Sequence, residues 1–202
     1  YSVLNILNEV DVKICTIEDP IEYGVGRVNQ IQVNAKAGMD FATGLRALLR
    51  HDPDIIMVGE IRDQETAKIA VNAALTGHLV LSTLHTNDAV GAIPRLLDMG
   101  VEPYLVASTV NAIVAQRLVR KLCTSCVVQY TPEKEILDRL INELKIDISN
   151  QKFYRGQGCN QCNKKGFRGR IGIYEVLSMS DPVRKIITDK TSSDILQKQA
   201  EA

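Results

Sequence analysis

The chain of 202 residues has no tryptophan, and aromatic residues make up only 4% of it, so aliphatic side chains must fill its core. The same poverty leaves no platform on which nucleic-acid bases could stack. Neither sign of charge dominates: 24 Lys and Arg balance 24 Asp and Glu. That balance provides no long-range attraction to nucleic acid or to an anionic membrane. No apolar run approaches the roughly 20 residues that span a bilayer, and no signal peptide opens the sequence. Internal repeats and low-complexity tracts are missing as well.

What is present is ordinary for a globular protein, with 45% hydrophobic and 24% charged residues. The length suits one full α/β domain, or one domain and a half plus an appendage. Val3, Leu7 and Val10 keep helical spacing, and the chain starts at Tyr1 without an initiator Met. It ends in a second helical pattern with no cap, so a piece of a longer protein is expected.

Local patterns predict an ordered series of elements. "VKICTI" (Val12 to Ile17) reads as a strand, and the alternating "VNQIQV" (Val28 to Val33) as an exposed strand or hairpin arm. Asp40 caps a predicted helix carrying Phe41, Leu45, Leu48 and Leu49, followed by a strand at Ile55–Val58. Asp63 caps the next helix, through Ala74, and "HLVLSTL" (His78 to Leu84) reads as another buried strand. Asp88 to Leu122 reads as mainly helical with a stop at Gly100. Strand and helix in alternation predict a parallel sheet with helices on both faces. Beyond Cys123 come an amphipathic helix (Pro132 to Lys145), a strand at "RIGIYEVL", and helices from Asp181 to the end. Boundaries are expected at 1–122, 123–167 and 168–202.

Three predicted strands end in polar clusters of one kind: Glu18-Asp19, Gly59-Glu60 and His85-Thr86. In a parallel sheet their carboxyl ends share one edge, where ligands bind. Hydrolysis of a nucleoside triphosphate needs an oriented water and stabilised phosphate charge. Glu60 suits a hydrated Mg²⁺, Glu18 or Asp19 the attacking water, and His85 the γ-phosphate. Singly, such acids often only cap the next helix. Arg46 and Arg50, spaced i,i+4, and Arg62 offer planar phosphate contacts, although spacing alone favours reading Arg46 and Arg50 as solvated helix charges. Asp63, Asp52 and Asp54 read as cap and turn residues, and His51 as part of a solvated turn. His78 is balanced between a structural and a site role. A phosphate loop of the form G-x-x-x-x-G-K-[ST] occurs nowhere in the sequence. The helix at Tyr1 places its expected position just ahead of the first residue. These residues by themselves are therefore expected neither to bind ATP tightly nor to hydrolyse it.

Five cysteines include two C-x-x-C pairs, Cys123/Cys126 and Cys159/Cys162, and a leftover Cys15 that reads as a small buried hydrophobe. Two such knuckles satisfy a tetrahedral Zn²⁺ and leave no open position for substrate, so the role would be structural. Disulfides or free thiols are the other readings. Arg120, Lys121, Lys164, Lys165 and Arg168 would offset the charge of four thiolates.

"CTIEDPIEY", "LRALLRHDPDIIMVGEIRDQETA" and "TGHLVLSTLHTNDA" resemble the Asp box, Walker B segment and His box of the secretion ATPases. These are the hexameric motors of type II secretion and of type IV pilus assembly and retraction. The resemblance implies a RecA-like α/β fold, ATP and Mg²⁺ as ligands, and a homo-hexamer. It implies catalytic carboxylates at Glu18, Asp19 and Glu60, with Glu22 a weaker candidate. His85, and with less support His78, would belong to the His box. Arg46, Arg50, Arg62 and Arg95 match arginines serving the nucleotide and the subunit boundary. The tetracysteine element resembles that of assembly and export ATPases, which retraction ATPases generally lack. Such a motor would work in the cytoplasm against platform proteins at the inner face of the inner membrane. Two other readings are a zinc-ribbon module binding nucleic acid or protein, and a DNA-handling motor of the same nucleotide-binding class.

Overall fold

The computed structural model describes residues 1–144, 147–148, 150–189, 195 and 199. These form two compact units, one of Tyr1–Ala115 with Glu175–Ala202 and one of Gln116–Tyr174.

In the first unit, helix α1 (Ser2–Leu7) leads into strand β1 (Ile14–Glu18), followed by β2 (Val28–Gln32) and α2 (Phe41–Leu48). Next come β3 (Ile55–Val58), α3 (Gln64–Leu75) and β4 (Leu79–Ser82), then α4 (Ala92–Asp98) and α5 (Pro103–Thr109). The four strands make one parallel sheet in the order β2-β1-β3-β4, with Ile17 opposite both Ile31 and Val58. Successive residues alternate between faces, and the packing follows that period. Ile14 and Ile55 bury against Leu4 of α1 on one face; Cys15, Ile17, Ile56 and Val58 bury against Leu45 and Leu48 of α2 on the other. Helices thus cover both faces, and Cys15 sits in the core.

Helix starts agree with their caps. Asp40 accepts from the Thr43 N–H at 2.7 Å, and Asp63 from the Thr66 N–H at 2.8 Å. Gly77, at φ +104°, follows α3.

Several elements differ from expectation. β2 is no hairpin arm, because it returns parallel to β1 through the irregular segment 19–27. β4 lies at the sheet edge, which leaves Leu79 39% exposed, not buried. Residues 88–122 are only partly helical: after α5 the chain extends as β5 (Ala112–Leu122) and pairs with β8 (Phe167–Ser178). β8 leads to α7 (Asp181–Thr188), whose Val183 and Ile187 join the core beside Val106. The helices expected beyond Lys190 lie almost wholly outside the described residues.

The second unit contains β6 (Val127–Tyr130), α6 (Lys134–Leu144) and β7 (Phe153–Gly156), with β6 and β7 antiparallel. The expected end of α6 at Lys145 lies outside the described residues. Cations stack on rings here: Arg120 lies 4.2 Å from the centre of the Phe167 ring, and Arg155 5.3 Å from that of Tyr130.

Candidate active site and metal centre

Parallel pairing brings the carboxyl ends of β1, β3 and β4 to one edge, where they line an open hollow of about 620 Å³. That volume lies within the roughly 300–1,000 Å³ of small-molecule sites. Glu18, Asp19, Glu22, Glu60 and His85 all face it, with Gly59 and Thr83 between them. The strand ends are tied together by bonds from the Gly59 N–H to the Ile17 carbonyl (2.8 Å) and from the Ile61 N–H to the Thr83 carbonyl (3.0 Å). The Thr83 hydroxyl donates to the Gly59 carbonyl at 2.7 Å. Gly59 permits this approach, since a Cβ there would stand 3.3 Å from the Ile17 carbonyl oxygen and 3.4 Å from the Glu18 Cα.

Glu18, at the end of β1, is only 3% exposed. Its Oε1 accepts from the Thr16 hydroxyl and from Gln30 Nε2 at 2.9 Å, and its Oε2 accepts from the Tyr1 hydroxyl. Burial, together with the bond to Glu18, pushes the Tyr1 phenol above its ordinary value, so it remains a donor at neutral pH. Asp19, next in sequence, is exposed at the rim.

Glu60, just past β3, is 8% exposed. Its two oxygens are divided between Arg62 at 2.5 Å and His85 Nε2 at 2.8 Å. Burial alone would raise the Glu60 carboxyl, but the bonds from His85 and Arg62 outweigh it and hold the group below its ordinary value. A carboxylate only accepts, so His85 Nε2 carries the proton in this contact. The rest of the imidazole is open, the side chain being 76% exposed.

The other candidates lie elsewhere. Arg46 pairs with Glu65, tying α2 to α3, and Arg50 sits on the 3-10 turn Leu49–His51 and not on α2. None of the four arginines is on the wall of the hollow, and Arg62 is the one among them paired with an acid that is, Glu60. His78 is drawn to the end of α3, with Nδ1 2.9 Å from the Ala73 carbonyl oxygen and 3.2 Å from the Thr76 hydroxyl.

The four paired cysteines converge in the second unit, all Sγ atoms within 4.8 Å of one another. Sγ pairs stand 3.9 Å apart for Cys123–Cys159 and Cys126–Cys162, and 3.8 Å apart for Cys159–Cys162. A tetrahedron with Zn–S bonds of about 2.3 Å has edges of about 3.8 Å. A disulfide would need about 2.05 Å, so the donor set fits zinc and not bridges. The backbone N–H of Cys159, and that of Gly166, donate to Cys162 Sγ and lower that thiol to about 6. Glycines make room for the fold of the knuckle: a Cβ on Gly156 would stand 2.0 Å from the Gly166 carbonyl oxygen.

Over residues 1–202 the chain matches the family described as type II/IV secretion system protein. The chain belongs to this family. It is similar to the type II secretion system ATPase E of Vibrio cholerae, at 48% identity over 100% of the chain and 40% of that protein. Similarity to the type IV pilus assembly ATPase PilB of Myxococcus xanthus is also 48%, over 99% of the chain and 35% of that relative. The chain thus spans well under half the length of these relatives. Among solved structures, the crystal structure of the pilus retraction motor PilT with bound ADP aligns at a TM-score of 0.69 and 30% identity. It covers 99% of this chain and 47% of that one. The fold is therefore the RecA-like α/β fold of the secretion ATPases.

Sequence reasoning placed the acids at the strand ends that line the hollow but did not find the donors around Glu18. Thr16 was within reach, because residues i and i+2 of a strand share a face. Gln30 and Tyr1 were not: Gln30 meets Glu18 only through the parallel register that sets Thr16 opposite Gln30.

Proposed function

We propose that these residues are the catalytic part of a ring-forming, homo-hexameric motor that hydrolyses ATP to drive protein secretion or pilus assembly. The observation that carries this reading is the meeting of Glu18, Asp19, Glu60 and His85 in one hollow at the ends of adjacent parallel strands. Residues 1–122 carry the nucleotide chemistry in this scheme, 123–167 a structural zinc, and 168–202 a supporting strand and helices.

Glu18 and Asp19 orient the attacking water and take its proton. His85, exposed above Glu60, turns its Nε2 proton from Glu60 to the γ-phosphate, and Glu60 would hold Mg²⁺ through water. Magnesium, when bound, offsets phosphate charge that would otherwise oppose attack. Arg62 is free to turn to phosphate once Glu60 has another cation to serve. Arg46, Arg50 and Arg95, lying off the hollow, serve the boundary with a neighbouring subunit. Cys123, Cys126, Cys159 and Cys162 hold one zinc ion, and that element supports export or assembly over retraction. The motor works in the cytoplasm against platform proteins at the inner membrane. Among the described residues no helix is long and apolar enough to cross a membrane.

The test is Glu60→Gln in the full-length protein. Nucleotide binding should persist while turnover is lost; turnover at the wild-type rate would overturn the proposal.

A further inference from the structure

Glu18 is nearly sealed from water, yet it faces the hollow through a network that no role above requires. As a carboxylate it offers about four acceptor positions, two on each oxygen. Both positions of Oε1 are taken, by the Thr16 hydroxyl and by Gln30 Nε2 at 2.9 Å. One position of Oε2 is taken by the Tyr1 hydroxyl, which itself accepts from the Glu22 N–H at 3.2 Å. Among the described residues a single acceptor position remains, on Oε2.

Gln30 is held so that it can only donate to Glu18. Its own oxygen accepts from the Val25 N–H at 2.7 Å, which turns its NH₂ toward Glu18 and, at 3.3 Å, the Tyr23 carbonyl. Flipping the amide would set two acceptors face to face and two donors face to face, so the orientation is determined by the network. Thr16 is fully buried and one pleat before Glu18, which leaves its hydroxyl few other partners.

We infer that Gln30 and Thr16 are positioning residues for Glu18: they saturate Oε1 and thereby aim the one free acceptor position of Oε2 into the hollow, toward a water. This rests on the proposal that Glu18 acts on the attacking water. Gln30 stands on an edge strand and is absent from the wall of the hollow, so it acts only through Glu18.

The test uses ATP turnover and nucleotide affinity of the full-length protein. Gln30→Met keeps size and removes the donor; kcat should fall on the order of tenfold, the lower end of the loss seen when hydrogen-bond partners of metal-binding side chains are removed, with KM for ATP unchanged. In a Glu18→Gln background the same change should have no further effect on residual turnover, because the two residues form one unit. Thr16→Val should lower kcat in the same way, and Thr16→Ser, which keeps the hydroxyl, should restore it. Unchanged kcat in both Gln30→Met and Thr16→Val, or losses that simply add in the double variant, would overturn the positioning role alone. Full turnover by Glu18→Gln would overturn the parent reading and this one together.

Discussion

His85 Nε2 stands 2.8 Å from Oε2 of Glu60, while Arg62 occupies the other oxygen of the same carboxylate. One acid just past β3 thus joins the loop after β4 to its own following turn. The arrangement predicts that Glu60 titrates with its partners. In His85→Ala one of the bonds that lower the Glu60 carboxyl is gone, while the burial that raises it remains. The Glu60 midpoint, followed by carboxyl-carbon NMR, should rise toward its ordinary value. A midpoint that stays put would show that Arg62 alone accounts for the depression.

The same contact bears on stability against pH, with a definite sign. Glu60 is held below its ordinary value in the folded chain, so its contribution is present above the unfolded carboxylate value, about 4.3. It is lost as pH falls through the depressed folded value. The difference in thermal midpoint between wild type and Glu60→Gln should therefore be constant at neutral pH and shrink below about pH 4. A difference that grows on acidification would contradict the assigned shift.

Much of this hollow was legible from β-segments ending in acids. Ile55–Val58 is an unbroken apolar run because both faces of β3 are covered, and its limits are those predicted. β5 was not legible: Ala115, Leu118, Val119 and Leu122 keep helical spacing, yet the chain there is extended and paired with β8. Spacing cannot reveal a partner some fifty residues away, and β8 supplies the backbone bonds that decide the matter. Arg50 was misplaced for a related reason. α2 ends at Leu48 and the chain tightens into a 3-10 turn, which removes Arg50 from the helical repeat that includes Arg46.

Zinc makes a prediction that separates the metal from bridged or free thiols. The Sγ spacing of 3.8–3.9 Å already suits a tetrahedral ion. Elemental analysis of reduced protein should find close to one zinc per chain. Cys159→Ser or Cys162→Ser should lower that figure well below one and make the second unit more susceptible to proteolysis. Full-length protein with no bound zinc and four freely titrating thiols would remove the metal from the scheme.

Core packing beneath the site gives a stability prediction. Ile56 is fully buried between the sheet and its helices. Ile56→Ala removes apolar area and leaves a cavity that close-packed neighbours cannot fill, which should destabilise by about 2–5 kcal/mol. Asp63→Ala should still cost less, about 2 kcal/mol, although it removes both the cap of α3 and the acceptor of the buried Thr66 hydroxyl. Chemical denaturation would rank the two, and the reverse order would mean that the cap holds more than its own helix.

Gly59 has no functional group, but turnover should depend on it. It follows β3 directly, its N–H bonded to the Ile17 carbonyl of β1, and its Cβ would press on backbone, at the Ile17 carbonyl oxygen and the Glu18 Cα. Backbone cannot rotate away as a side-chain tip can, so Gly59→Ala must widen the gap between the strands by a few tenths of an ångström. Glu18 and Glu60 flank that gap, and both would move relative to a shared substrate. Small misplacements of reacting groups can lower rates by up to about 100-fold. Gly59→Ala should accordingly reduce kcat of the full-length protein with little loss of thermal stability. Gly24→Ala is the control, since a Cβ there meets nothing within 4 Å. Equal activity in the two variants would mean that the distance between Glu18 and Glu60 does not govern the chemistry.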